Sequence, residues 1–396
     1  MKWLTVRPPT SWLINGAVLT VSLVVASLLA EIVLRMIGFS APVFYTYDDV
    51  TGSKLFPGSE GWQRAEGAAF VAINRDGLRD REHSRTKSAN TFRIAILGDS
   101  ITEALQVPLE STFSSVLERQ LKNCKALGNR DVESINFGVS GYGTAQELLT
   151  FRHRVAAYSP DVTVLAFYAG NDVRNNSKGL EPSKLRPFFD LRDGNLVLDN
   201  SFLSDREYLS FRASFDKRKI FFDLRTFQLM RKLKSVFEQW EGEGGHAGAA
   251  RNANIEPGLD DGVFLAPTAT AWKEAWQITE RLIVATRDEV VAGGGRFLVI
   301  SIPIGIQVHP NPEVRSRFMR ALHVDDLWYP ESRIRELAQR RKIDAMTLGR
   351  SFQSYAEENQ VYLHGFRNTR LGTGHLNENG HKLIGEALAK HLCQSP

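Results

Sequence analysis

Four short segments carry the side chains able to do chemistry, and glycine punctuates each. They are Gly98-Asp99-Ser100, Gly138-Val139-Ser140-Gly141, Gly170-Asn171-Asp172 and Gly374-His375. Acyl transfer needs a nucleophile, a base and donors for an oxyanion. Ser100 offers a hydroxyl, and His375 an imidazole that can take up and return a proton near neutral pH. The backbone N–H groups of Ser100 and Gly141, with the side-chain amide of Asn171, offer the donors. Glycine at 141 lets the backbone approach a substrate closely. Read alone, Gly-Asp-Ser is also ordinary turn chemistry and Asn171 a helix cap. The weight lies in the four together, in this order.

Such segments act together only if a scaffold delivers them to one rim. Buried-strand patterns at Phe92–Leu97, Val132–Phe137, Val162–Tyr168, Phe297–Pro303 and Ile343–Leu348 alternate with helical ones at Thr112–Cys124, Ala145–Ala157, Ala271–Val291, Pro330–Arg341 and Asn377–Leu392. That alternation predicts an α/β fold with a parallel sheet of about five strands, right-handed crossovers and a flavodoxin-like order 2-1-3-4-5. Ligands bind beyond the carboxyl ends of such strands, where Ser100, Gly141 and Asn171 fall. His375 enters from the loop before the last helix. The same order sets the first and last helices side by side, with Cys124 and Cys393 at their ends. These two are expected to lie close, as a disulfide or as separate buried thiols. His381, a turn into the last helix, is read as structural, and His364 as a loop residue near the site.

The rest of the chain supplies context. Its basic residues form no long run and its net charge is only +4, so nucleic-acid binding is not expected. No cluster has metal-ligand spacing, and no cofactor is expected. Trp12–Ala30 carries no charge, and a bilayer core needs roughly 20 apolar residues. We read 12–36 as a transmembrane signal-anchor, with a cleavable signal peptide as the rival. Lys2 and Arg7 ahead of it favour a cytoplasmic 1–11 and an extracytoplasmic, periplasmic-type domain. Residues 37–90 read as a connector or a small β accessory unit. An insertion at 174–267 holds a hairpin over Leu191–Leu198, a basic helical stretch over Asp216–Trp240 and a mobile Gly/Ala/Asn-rich segment, Glu241–Gly262. Tyr45, Tyr47, Trp272 and Trp276 read as packing residues.

The segments GDSITEA, NFGVSGYGT, AGND and GHLNENGH resemble, in order, the four blocks of the SGNH/GDSL hydrolases. The resemblance covers about Phe92 to the C-terminus, less the insertion. It implies a three-layer α/β/α domain over 91–396, a nucleophile at Ser100, an oxyanion hole of Ser100, Gly141 and Asn171, and a base at His375. One departure stands out: the aspartate usual two or three residues before the histidine is absent, Gly372 and Thr373 standing there. The expectation is therefore a Ser–His dyad with a backbone carbonyl orienting the ring and the imidazole within hydrogen-bond reach of Ser100 Oγ, while Asp99 and Asp172 serve structure. The implied activity is hydrolysis of an acyl ester, an O-acetyl group first of all, on a glycan or lipid of the cell envelope. The alternatives are O-acyl transfer to a polysaccharide and a non-catalytic binding or assembly role.

Overall fold

The computed structural model describes residues 10–245 and 261–394, with backbone alone at 10, 13 and 238–245. The chain forms two compact units, Met1–Val43 with Phe215–Ala249, and Phe44–Ser214 with Ala250–Pro396.

The larger unit is built on a parallel sheet of β1 (Thr91–Gly98), β2 (Asp131–Asn136), β3 (Val162–Tyr168), β4 (Arg296–Ile302) and β5 (Asp344–Thr347). Their spatial order is β2-β1-β3-β4-β5. Every residue of β1 and β3 is buried, because helices cover both faces of these central strands. The helices Phe113–Leu121 and Glu378–Gln394 pack together on one face, and Thr144–His153 packs with Thr270–Ala292. In-register pairing of Ile96 with Asn136 and of Gly98 with Ala166 brings the carboxyl ends of β1, β2 and β3 side by side. A disulfide joins Cys124 to Cys393, with Cα atoms 5.7 Å apart. It ties the first helix of the sheet to the last.

Residues 44–73 form two antiparallel hairpins, Tyr45–Asp48 with Gly52–Leu55 and Glu60–Gln63 with Ala69–Ala72. Their core of Phe44, Leu55, Val71 and Ile73 packs on Leu105, Val139 and Tyr142, which lie in the loops after β1 and β2. The insertion hairpin pairs Phe188–Arg192 with Asn195–Asp199. Its turn, Asp193-Gly194, has φ of +50° and +78°, the form whose twist suits a two-residue hairpin. Among the described residues, three helices of more than two turns lie outside the expected set, Arg206–Arg218, Pro312–Leu322 and Gly349–Asn359.

The smaller unit holds the apolar helix Thr10–Met36 and the helix Arg225–Gly245. At 27 residues the first is ~40 Å long, and none of its Ile14–Met36 stretch is buried. It is long and apolar enough to cross a membrane. The basic stretch expected over Asp216–Trp240 is broken at Asp223-Leu224, between a short turn of helix and Arg225–Gly245. Of the segment expected to be mobile, Glu241–Gly262, residues 246–260 lie outside the described residues; 241–245 are helical.

Candidate active site

The three strand-end loops are bonded to one another. β1 runs through Asp99 directly into a short helix, Ser100–Glu103, whose N-terminus Asp99 caps by accepting the Ile101 N–H at 2.9 Å. The Val139 N–H donates to Gly98 O at 3.2 Å, and Asn136 Nδ2 to Thr102 O at 2.7 Å. A Cβ on Gly138 would sit 2.5 Å from Glu103 N, so the second loop closes onto the first only with glycine there. Asn175 Nδ2, just past the third loop, donates to Gly141 O at 3.0 Å. Arg186 Nη2 donates to the same carbonyl at 2.7 Å. Gly141 has φ +76°, a left-handed conformation that other residues take only with strain.

Ser100, Gly141, Asn171 and His375 are half-buried, whereas Asp99, Ile101, Tyr142, Gly170, Asp172 and Leu376 beside them are buried. Among the described residues, the backbone N–H groups of Ser100 and Gly141 have no acceptor within the chain. Two idle N–H groups at one half-open rim suit an oxyanion hole. The Asn171 amide lies against the Asp99 carboxyl.

His375 ends a loop that is closed on itself. The Gly365 N–H donates to His375 O at 2.9 Å, and the ring of His364 bonds Gly374 O through Nδ1 at 2.8 Å. Burial pushes His364 down to about 4, so it stays neutral and steadies the backbone beside His375. His381 is also fully buried, accepts the Phe113 N–H at 3.3 Å and stacks on that ring. Burial pushes it to about 3, and it packs the last helix.

The His375 ring is not oriented by a backbone carbonyl. Glu66 holds it, with Oε2 2.5 Å from Nδ1 and Oε1 accepting the His375 N–H at 2.9 Å. Glu66 lies in the turn between Glu60–Gln63 and Ala69–Ala72. Asn368 of the histidine loop locks that turn, accepting the Gly67 N–H at 3.0 Å and donating to Gly67 O at 2.9 Å. Gly374 makes room: its φ is +77°, and a Cβ there would lie 2.3 Å from Glu66 Oε1. The carboxylate is 309 residues from the histidine, and no spacing rule connects Arg64-Ala65-Glu66-Gly67 to it. A carboxylate on Nδ1 fixes the tautomer, leaving Nε2 as the lone-pair nitrogen. Burial opposes charge on His375, but the bond and charge of Glu66, with Asp99 and Glu103, raise its pKa. Burial likewise opposes charge on Glu66, yet the bond and charge of His375 hold it below the usual range.

Among the described residues, no hydrogen bond joins Ser100 Oγ to the His375 ring, contrary to the reach expected. Both groups are half-open, and in empty sites such bonds are often long and tighten only with substrate. Asp99 and Glu103, at either end of the Ser100 turn, are near enough for their charges to act on the imidazole.

Beneath the turn lie three buried carboxyls, Asp99, Glu147 and Asp172. Asp172 accepts the Tyr168 N–H at 2.8 Å, but Asp99 Oδ2, Asp172 Oδ1 and both Glu147 oxygens have no hydrogen-bond partner. Burial, then the repulsion of Asp99, pushes Glu147 well up, and burial with the repulsion of Glu147 and Asp99 does the same to Asp172. Burial pushes Asp99 to about 6. Among the described residues no His, Cys, Asp and Glu side chains converge as a metal-ligand set.

No family model matches the chain, and no curated protein is significantly similar to it. Among solved structures it is similar to an acetyl xylan esterase, AlAXEase, at 14% identity and a TM-score of 0.38, covering 76% of this chain and 99% of that one. TesA is similar at 12% identity and a TM-score of 0.36, covering 77% and 98%. A GDSL-like lipase from Bacteroides thetaiotaomicron is similar at 14% and 0.34, covering 79% and 92%. At these identities and scores the likenesses carry no argument about chemistry.

Proposed function

We propose that the chain is a serine ester hydrolase of the SGNH/GDSL type acting on O-acyl, first of all O-acetyl, esters of a cell-envelope glycan or lipid. Ser100 is the nucleophile, His375 the general base and Glu66 the carboxylate that orients it. His375 Nε2 takes the Ser100 proton as Oγ attacks the acyl carbon. The Ser100 and Gly141 N–H groups and the Asn171 amide stabilise the oxyanion, each such donor contributing about 2.7–4 kcal/mol to the barrier. The imidazolium returns its proton to the leaving alcohol, and the acyl group remains on Ser100. Water, deprotonated by His375, then releases the acid and restores the hydroxyl.

The observation that carries this reading is the Glu66 clamp: it leaves Nε2 as the base at a rim whose half-open groups are a hydroxyl and idle donors. The apolar Thr10–Met36 helix supports an anchor, with the larger unit outside the cytoplasm. The Cys124–Cys393 disulfide supports an oxidising compartment.

The test is acetate release from an O-acetylated oligosaccharide, without an acceptor, by full-length protein in detergent. Turnover that vanishes in Ser100→Ala is expected. Turnover only with an acceptor glycan would make the chain an acyltransferase, because only the deacylating nucleophile differs. A folded protein inert under both conditions would point to a binding role.

A further inference from the structure

Over residues 228–236 the helix Arg225–Gly245 is inside-out. Met230, Leu233 and Val236, spaced three apart on one face, are 61%, 59% and 50% exposed. On the opposite face the polar Gln228 is only 3% exposed. Its Oε1 accepts the Ala41 N–H at 2.9 Å and its Nε2 donates to Phe222 O at 2.7 Å. An amphipathic helix in water does the reverse, turning its leucines to the core. Ile220, in the turn ahead of the helix, is 73% exposed as well. Arg231 and Lys232, both exposed, flank the apolar stripe, as cationic side chains do on helices lying in a bilayer interface.

The same helix is tied to the apolar helix Thr10–Met36. Glu31 accepts the Arg225 and Thr226 N–H groups at 3.0 and 2.9 Å, filling two of the four orphan donors at that helix start. Arg35 Nη2 donates to Asp223 O at 3.0 Å. Five residues of helix, ~8 Å, separate Glu31 from Met36. The exposed leucine face therefore starts close to one end of the candidate span, at the depth where a bilayer gives way to headgroups.

We propose that Arg225–Gly245 is an interfacial membrane helix, its Met230-Leu233-Val236 face in the acyl region and Arg231 and Lys232 at anionic headgroups. The occupant of this face is lipid, and the insertion thereby adds a second membrane contact to the anchor. Buried apolar area and attraction to anionic lipid drive such binding. The proposal rests on reading Thr10–Met36 as a membrane helix, and the test separates the two.

Single-cysteine variants Leu233→Cys, Lys232→Cys and Val24→Cys take a spin label in the full chain, the native cysteines being bonded to each other. The labelled proteins go into vesicles of phosphatidylglycerol and phosphatidylcholine. Collision with oxygen, which concentrates in lipid, is compared with collision with a water-soluble nickel chelate. The expected result is oxygen dominance at positions 24 and 233 and nickel dominance at 232. Nickel dominance at 233 with oxygen dominance at 24 would overturn the proposal and leave the anchor standing. Nickel dominance at 24 would overturn the anchor and the proposal with it. Shielding of 233 from both reagents would assign the face to protein, such as a second copy, and also overturn it.

Discussion

Glu66 and the acids beneath Ser100 are carboxyls in one site with opposite fates. Glu66 is half-buried, bonded through both oxygens to His375, and held below the usual carboxylate range. Asp99, Glu147 and Asp172 are buried together, largely without partners, and pushed up toward the neutral form. Burial opposes ionisation in both places. What differs is the partner, because an imidazole that can become a cation returns more than desolvation takes, whereas a second carboxyl adds repulsion. The site thus carries its negative charge where a proton must be drawn onto histidine. Glu147 and Asp172 are pushed toward the neutral form beneath the turn where an oxyanion forms, and a fixed anion there would raise the barrier.

Variants can break this contrast or sharpen it. The largest effect is expected from His375→Ala, which leaves Glu66 with nothing to orient: kcat should fall by roughly 10⁴ or more, with the melting temperature showing that the fold persists. Glu66→Gln keeps the size and removes the charge. Its kcat should drop by roughly 10² to 10⁴, the upper figure being that of the equivalent change in a triad protease. A pH profile makes this test specific. Glu66 raises the His375 pKa, so its loss lets burial lower that value, and the acid limb of kcat/KM should move to lower pH. A variant that lost rate with the limb in place would show that Glu66 only packs. Gly374→Ala should fall between wild type and Glu66→Gln in rate, because its methyl would lie 2.3 Å from Glu66 Oε1. The strained φ adds a stability loss of about 1 kcal/mol or more.

The smallest effect on rate is expected on the other side of the contrast. Glu147→Gln mimics the protonated acid and should leave kcat within a few-fold of wild type. Its signature is in stability. A carboxyl whose folded pKa is raised stabilises the fold below its unfolded pKa, and that contribution is lost as pH rises through the folded value. Glu147 being raised well above its ordinary 4.5, wild type should lose stability in urea as pH rises past that value, and the variant should lose less. The buried histidines act elsewhere: His364 and His381, held neutral, cost stability only as pH falls below their ordinary 6.5. A large rate loss in Glu147→Gln would mean that the buried acids take part in proton transfer and that the contrast is wrong.

Much of this arrangement was legible in the residues, for physical reasons that also mark where legibility stops. The central strands read clearly because a strand covered on both faces must be mostly apolar, as Ile94–Leu97 and Val162–Tyr168 are. The spatial order follows from the strand–helix alternation, and the nearness of Cys124 to Cys393 follows from that order. The helix Pro312–Leu322 was readable in principle. Asn311 caps it, accepting the Glu313 N–H at 2.9 Å, with proline at its first position. Glu66 was not readable. A carboxylate that meets its histidine through tertiary docking leaves no periodicity or spacing, and its hairpin reads like any polar turn. The inside-out helix shows the same limit from the other side. Its amphipathicity is plain in Met230, Leu233 and Val236, but only the structure tells which face is covered.

The central claim is that Ser100 is a nucleophile activated by a histidine that Glu66 holds. It is tested most directly by treating the full-length protein with a fluorophosphonate and mapping the adduct by peptide mass spectrometry. The account predicts one stoichiometric adduct, on Ser100, forming far more slowly in both His375→Ala and Glu66→Gln. Folded wild-type protein that takes no label, or takes it at another residue, would contradict it.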